Sequence, residues 1–301
     1  PSLRDADFTT EKQVILEEIK MYEDNPGSMA WDNARRLHFG SHPLGNSILG
    51  SSASIAALTR DQMHHYFSRR YAPGNVLAVA AGKIDWPEVV ALFEKGCGQW
   101  EPGTADRVGV TETSGAGGTH AIAKAGVAQE HVLVMSPGPP AESMLRYAAA
   151  TLAVAVGDDS GSRLYWSLVD PGLAESASCG TDQSQGCGVT VTSFSCDPEQ
   201  TADNLALVRT LLAEVQKDGI TTEELEQAKN KIASRVVRAS ERPMGRMRAI
   251  AGAWLYLGEY SDVDRELARF DAVTLASIRE YLDRYPLDRA TVVGYGPVES
   301  L

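Results

Sequence analysis

The chain has 301 residues, enough for two domains at roughly 100–200 residues each. Hydrophobic residues make up 43% and charged residues 23%, the balance of an ordinary soluble globular protein, and no apolar run approaches the roughly 20 residues of a membrane helix. The formal net charge of −12 argues against nucleic acid as a partner, because that binding needs Lys and Arg to neutralise phosphates.

FTTEKQVILEEIKMYEDNP (8–26) reads as a long helix that opens on Thr-Thr-Glu and ends at a proline. In 58–84, Thr59 is the predicted N-cap of a second helix and Gln62 completes a capping box. A turn follows, then VLAVAAG, predicted as a buried strand ending in Gly82. Glu101 to Thr119 is poor in large apolar residues and rich in Gly and Thr, and reads as a linker. Beyond it, HVLVMSPGP predicts a strand and turn, and the alanine-rich run Tyr147 to Val156 a buried helix. SGSRLYWSLVD predicts a short helix and LAESASCGTDQSQGCGVTVTSFSC a hairpin. Asp197-Pro198 starts another helix, with proline at its first position. Cys97, Cys179, Cys187 and Cys196 form no CxxC, so a structural zinc knuckle is not expected. Buried free thiols are the default, with a Cys179–Cys187 disulfide as the alternative.

The chain repeats itself. ITTEELEQAKNKIASRVVRASERP (220–243) parallels 8–26: both open on Thr-Thr-Glu and both reach a proline after a long helix. VTLASIREYLDRYPLDRATVVGYGPV (273–298) parallels 58–84, with Thr274 matching Thr59 as a helix cap and TVVGYG matching VLAVAAG. The spacing from Pro26 to Thr59 agrees within two residues with that from Pro243 to Thr274. Strands meeting as hairpins with helices between them predict an α+β fold: two related domains of helices on an antiparallel-rich sheet. The expected division is 1–100 as the latter part of a first domain, 101–119 as linker and 120–301 as a second domain. The second copy is preceded by segment 120–219 and the first by seven residues, so the first domain is expected to lack about 90 leading residues. The chain starts at Pro1 rather than Met, which reads as a processed or truncated end and leaves the compartment open between cytoplasm and periplasm.

Glu11 and Glu18 lie seven residues apart on the first helix, close to two turns, so both carboxylates share one face; Glu17 points about 100° away. A solvated acidic face is the plain reading. The matching positions of the second copy are Glu223 and Asn230, which keep the first carboxylate and replace the second by an amide.

Taken together, EKQVILEEI (11–19), HPLGNSILG (42–50), YAPGN (71–75), SGSRLYWSLVDPGLAESAS (160–178) and ITTEELEQAK (220–229) resemble the insulinase/pitrilysin zinc peptidases, which include the mitochondrial processing peptidases. The resemblance covers nearly the whole chain. It implies an inverzincin, in which H-x-x-E-H supplies two ligands and a general base and a downstream glutamate supplies the third ligand. By that match Glu18 resembles the zinc ligand and Glu11 the carboxylate that supports it, and a zinc so held lowers the pKa of its bound water to about 7. The chain contains no H-x-x-E-H: its histidines are His38, His42, His64, His65, His120 and His131. His38 and His42 are four apart, but Gly40 and Pro43 make one continuous helix improbable there, and His42 is expected to hold a loop. Family members often carry an Arg and a Tyr near the GLA segment, where this chain has approximately Val169 and Glu175. Arg163, in the SRL element, is expected to be structural. The resemblance therefore implies a zinc-dependent endopeptidase acting on a peptide or small protein held between two domains, with this chain inactive alone. The alternative is a non-catalytic peptidase-like subunit that pairs with an active partner, in a homo- or hetero-oligomer, or binds peptides.

Overall fold

A computed structural model describes residues 3–103, 109–113 and 115–301. The expected linker therefore lies partly outside the described residues. In chain order the elements are α1 (Asp5–Glu23), α2 (Pro26–Phe39), α3 (Ser52–Ala57), α4 (Arg60–Arg70), α5 (Trp86–Cys97), β1 (Gly118–Ala123) and β2 (Glu130–Gly138). Then come α6 (Leu145–Gly157), β3 (Ser176–Ser184), β4 (Cys187–Cys196), α7 (Thr201–Asp218), α8 (Thr222–Ser240), α9 (Pro243–Leu257), α10 (Val263–Asp271), α11 (Leu275–Arg284) and β5 (Thr291–Gly296).

Local chemistry sets many of these boundaries. Asp5 and Asp7 sit in the first turn of α1 and Lys20 in its last, each favourable to the helix dipole. Thr59 and Gln62 form the predicted capping box of α4, and Thr274 with Ser277 does the same for α11. Thr221 and Glu224 exchange bonds of 2.7 and 3.1 Å at the start of α8. Both α1 and α8 run 19 residues, and each is followed by a helix whose first residue is proline, Pro26 or Pro243.

The chain forms two compact units. One gathers Met21–Ile48, Val110–Val236 and Asp264–Leu301. It holds a five-stranded sheet of order β1-β5-β2-β4-β3. Only β1 and β5 run parallel; the other pairs are antiparallel. The period of two along each strand separates two cores. Val132, Val134, Phe194 and Val292 face a core built by α6, α7, α8 and α11. Leu133, Met135, Val191, Val293 and Tyr295 face a smaller core covered by Ala30, Ala34 and Phe39 of α2. The predicted hairpin is β3–β4, and all four cysteines are free thiols. Gly118 and Thr119, at the end of the expected linker, open β1.

The other unit gathers Pro1–Lys20, Leu49–Gly109 and Val237–Val263. Its core is thin: α3, α4 and α5 have no buried residue, and Trp86 and Leu92 of α5 are 63% and 61% exposed. Residues 76–81, predicted as a buried strand, join no sheet, and Val76 and Leu77 are exposed. The reason is the lack of a neighbour: a strand is stable only when its backbone groups find partners, and none of the described strands belongs to this unit.

Candidate functional site

Glu11 and Glu18 both lie on α1, with Glu11 exposed and Glu18 half-buried beside the buried Ile19. A groove of about 430 Å³ runs along the same helix, and Glu11 lines it together with Leu3, Phe8, Ile15, Ile55 and Leu58. Lys12 fixes one wall, because its ammonium donates to the carbonyls of Ala56 and Leu58 at 2.6 and 2.9 Å, at the C-terminal end of α3 where the helix dipole favours a cation. The groove is apolar with an acidic rim formed by Asp7 and Glu11.

The histidines do not converge on these carboxylates. Helix α2 stops at Phe39, so His38 and His42 do not share a helix. His38 is buried, its Nδ1 lying 3.1 Å from Thr291 Oγ1. His42 holds a loop, as its sequence neighbours suggested: Nδ1 accepts the Leu44 N–H at 3.2 Å, so the proton is on Nε2, which donates to the Thr111 carbonyl at 3.1 Å. His64 and His65 are exposed on α4 beside Arg60 and Asp61, and His120 and His131 lie on β1 and β2. Among the described residues no three His, Cys, Asp or Glu side chains gather as a metal site. A zinc centre needs four ligands, or three and a water, so the described residues do not by themselves make up one.

In α8, at the positions matching Glu11 and Glu18, Glu223 accepts a bond from Gln227 at 3.3 Å and Asn230 is exposed. Their neighbours build an ion network instead. Lys231 reaches the buried Asp158 at 2.9 Å and Arg235 pairs with its other oxygen. Burial pushes the Asp158 carboxyl up, but the two cations outweigh it and hold it below the usual range. Arg163 grips Glu224 with two bonds of 2.6 and 2.8 Å and the Gly219 carbonyl with a third, a structural clasp across the start of α8. Val169 ends a π-helical turn, Tyr165–Val169, and Glu175 accepts a bond from Gln129. The Asp158 network had no sequence signal, since Asp158 is more than 70 residues from Lys231 and Arg235. The burial of His38 had a faint one: Ala30, Ala34 and His38 repeat at four-residue spacing, the period of one helix face.

The family described as peptidase M16 inactive domain matches residues 57–232, more than half of the chain. An uncharacterized zinc protease of Streptomyces coelicolor is 31% identical over 285 residues, covering 92% of this chain. This chain spans 62% of that relative's length. Among solved structures, a putative M16-like peptidase of Alicyclobacillus acidocaldarius aligns with a TM-score of 0.84 at 24% identity, over 97% of this chain and 71% of that one. A chain of complex III from Candida albicans aligns with a TM-score of 0.86 at 15% identity, over 97% and 72% of the two chains. The fold is that of the M16 peptidases. This chain belongs to the peptidase M16 family, the insulinase/pitrilysin group its sequence resembles.

Proposed function

We propose that this chain is the latter part of a zinc-dependent endopeptidase that hydrolyses peptides held between two related domains. In this reading residues 1–100 end the first domain, 101–119 join the two, and 120–301 form a second, catalytically inert domain. The matched helix pairs α1/α8 and α4/α11 support an internal duplication. Glu18 is the one zinc ligand this chain contributes and Glu11 supports it; the two histidines and the general base of H-x-x-E-H come from outside these residues. The observation that carries the reading is Glu11 and Glu18 two turns apart on α1, with Glu11 lining an open groove, in a unit whose helices leave apolar faces exposed. Zinc supplies an activated water in this family; the chain's own residues supply its third ligand.

The test compares the purified 301-residue chain with the product of its full coding sequence. We expect the 301-residue chain to cleave no fluorogenic peptide. The full product should hold one zinc, and Glu18→Gln should lower both zinc content and cleavage by about 10- to 100-fold or more. Full zinc and activity in Glu18→Gln, or chelator-sensitive cleavage by the 301-residue chain, would overturn the reading. A second reading, a non-catalytic subunit, is favoured by Val169 and Glu175 standing where the family usually places Arg and Tyr. A full product without zinc that copurifies with an active peptidase would establish it.

A further inference from the structure

The ring of His38 is 1% exposed, and its Nε2 has no hydrogen-bond partner. Three segments close around it. Its own backbone carbonyl accepts the Ala116 N–H at 2.8 Å. Its Nδ1 meets Thr291 Oγ1, and the same hydroxyl accepts the Gly117 N–H at 3.1 Å. Gly115, with φ +78, lies directly over the ring: a Cβ there would stand 2.2 Å from His38 Cε1. Any side chain at 115 would therefore displace the imidazole.

We propose that His38 is the pin of an acid-sensitive latch: its buried neutral imidazole holds Gly115–Gly117 against the end of α2 and strand β5, and protonation releases that segment. A second ring proton adds a charge to a pocket whose polar groups nearest the ring, the Thr291 hydroxyl and the Met135 carbonyl, carry none. The charged and titratable groups on the surrounding elements are engaged elsewhere. Arg35 pairs with Asp182 at 2.9 Å, Arg36 bonds Asn33, and Asp32 accepts from Ser47. His42 holds its loop, Glu112 faces Arg284 at 4.0 Å, and His120 packs beside Gly118. On the sheet, Thr291, Met135 and Val293 bring no charge. No carboxylate bonds the ring, so no counterion offsets the added proton.

Burial accordingly pushes the His38 imidazole down to about 4, against a smaller opposing pull from the Met135 carbonyl. A lowered folded value means that the latch is at full strength above the unfolded value of 6.5 and weakens as pH falls from there toward 4. The closed-to-open ratio falls by roughly two orders of magnitude across that window.

The experiment is a proton NMR titration of the whole 301-residue chain, with His38 assigned by its contact to Thr291, together with amide exchange at Ala116 and Gly117 corrected for intrinsic rates. We expect His38 to titrate well below the ordinary imidazole value of 6.5, at about 4. Protection at Ala116 and Gly117 should drop between pH 6.5 and 4.5. In His38→Gln, which keeps a hydrogen-bonding side chain without a titrating ring, that drop should vanish. A His38 titrating at the ordinary imidazole value of 6.5, or Ala116 and Gly117 equally protected at both pH values in the wild type, would defeat the proposal. Should His38→Gln fail to fold, the wild-type titration and exchange decide the matter alone.

Discussion

Glu130 opens β2 with no accessible surface, and its carboxyl makes one bond, from the Val298 N–H at 3.0 Å, while Oε1 has none. Burial raises its pKa, and the Val298 N–H opposes the rise without cancelling it. A raised acid favours the folded state fully below its unfolded value of 4.5 and loses that contribution as pH climbs through the folded value. His38 has the opposite sign, at full strength above 6.5 and losing stability toward acid. The two buried groups therefore erode stability from opposite ends of the pH scale. Urea unfolding of Glu130→Gln, followed from pH 4.5 to 8, should show less decline toward high pH than the wild type. Parallel curves for the two proteins would mean that Glu130 is not the source. The sequence offers no hint of this residue, because a glutamate at the start of a strand is ordinarily exposed.

Helix α6 was legible from its apolar run, and Tyr147, Ala149, Leu152 and Val156 are indeed buried. How closely it lies on the sheet depends on Gly157. A Cβ there would fall 2.1 Å from the Cys179 backbone nitrogen in β3. Gly157→Ala should force helix and strand apart and cost at least about 2 kcal/mol, seen as a lower urea midpoint. A midpoint within error of the wild type would show that the contact yields freely. In the sequence Gly157 merely follows the apolar run that ends at Val156, and the tight approach could not be read from it. The capping boxes were more accessible, since Thr59 and Gln62 are three residues apart and their bonds are local. Residues 76–81 show the converse: their β-branched and alanine-rich pattern is that of a strand, but pattern alone does not supply the neighbouring backbone that a strand needs.

At the scale of the molecule, two helices with similar beginnings go to different units. Helix α2, which follows a 19-residue helix and opens on proline, covers the five-stranded sheet, whereas α9, which does the same, groups with α3, α4 and α5. The thin-cored unit should behave accordingly. Amides of residues 76–81 in the 301-residue chain should exchange at nearly unprotected rates, whereas those of Val292, Val293 and Tyr295 in the buried β5 should be among the slowest. The exposed Trp86, Leu92, Phe93 and Trp254 should bind a hydrophobic dye and favour association. Strong protection across 76–81, with no dye binding, would show that the segment has found a partner.

The sequence by itself determined what depends on short range. Helix periodicity, threonine caps, proline starts, the β3–β4 hairpin and the shared face of Glu11 and Glu18 all follow from residues within about two turns of one another. Long-range contacts decided how the strands outside the β3–β4 hairpin pair, which unit each helix joins and what closes around His38. Its partner Thr291 lies 253 residues away. Such contacts form only when the chain collapses and buries polar groups that must then find partners, and no local pattern specifies those partners.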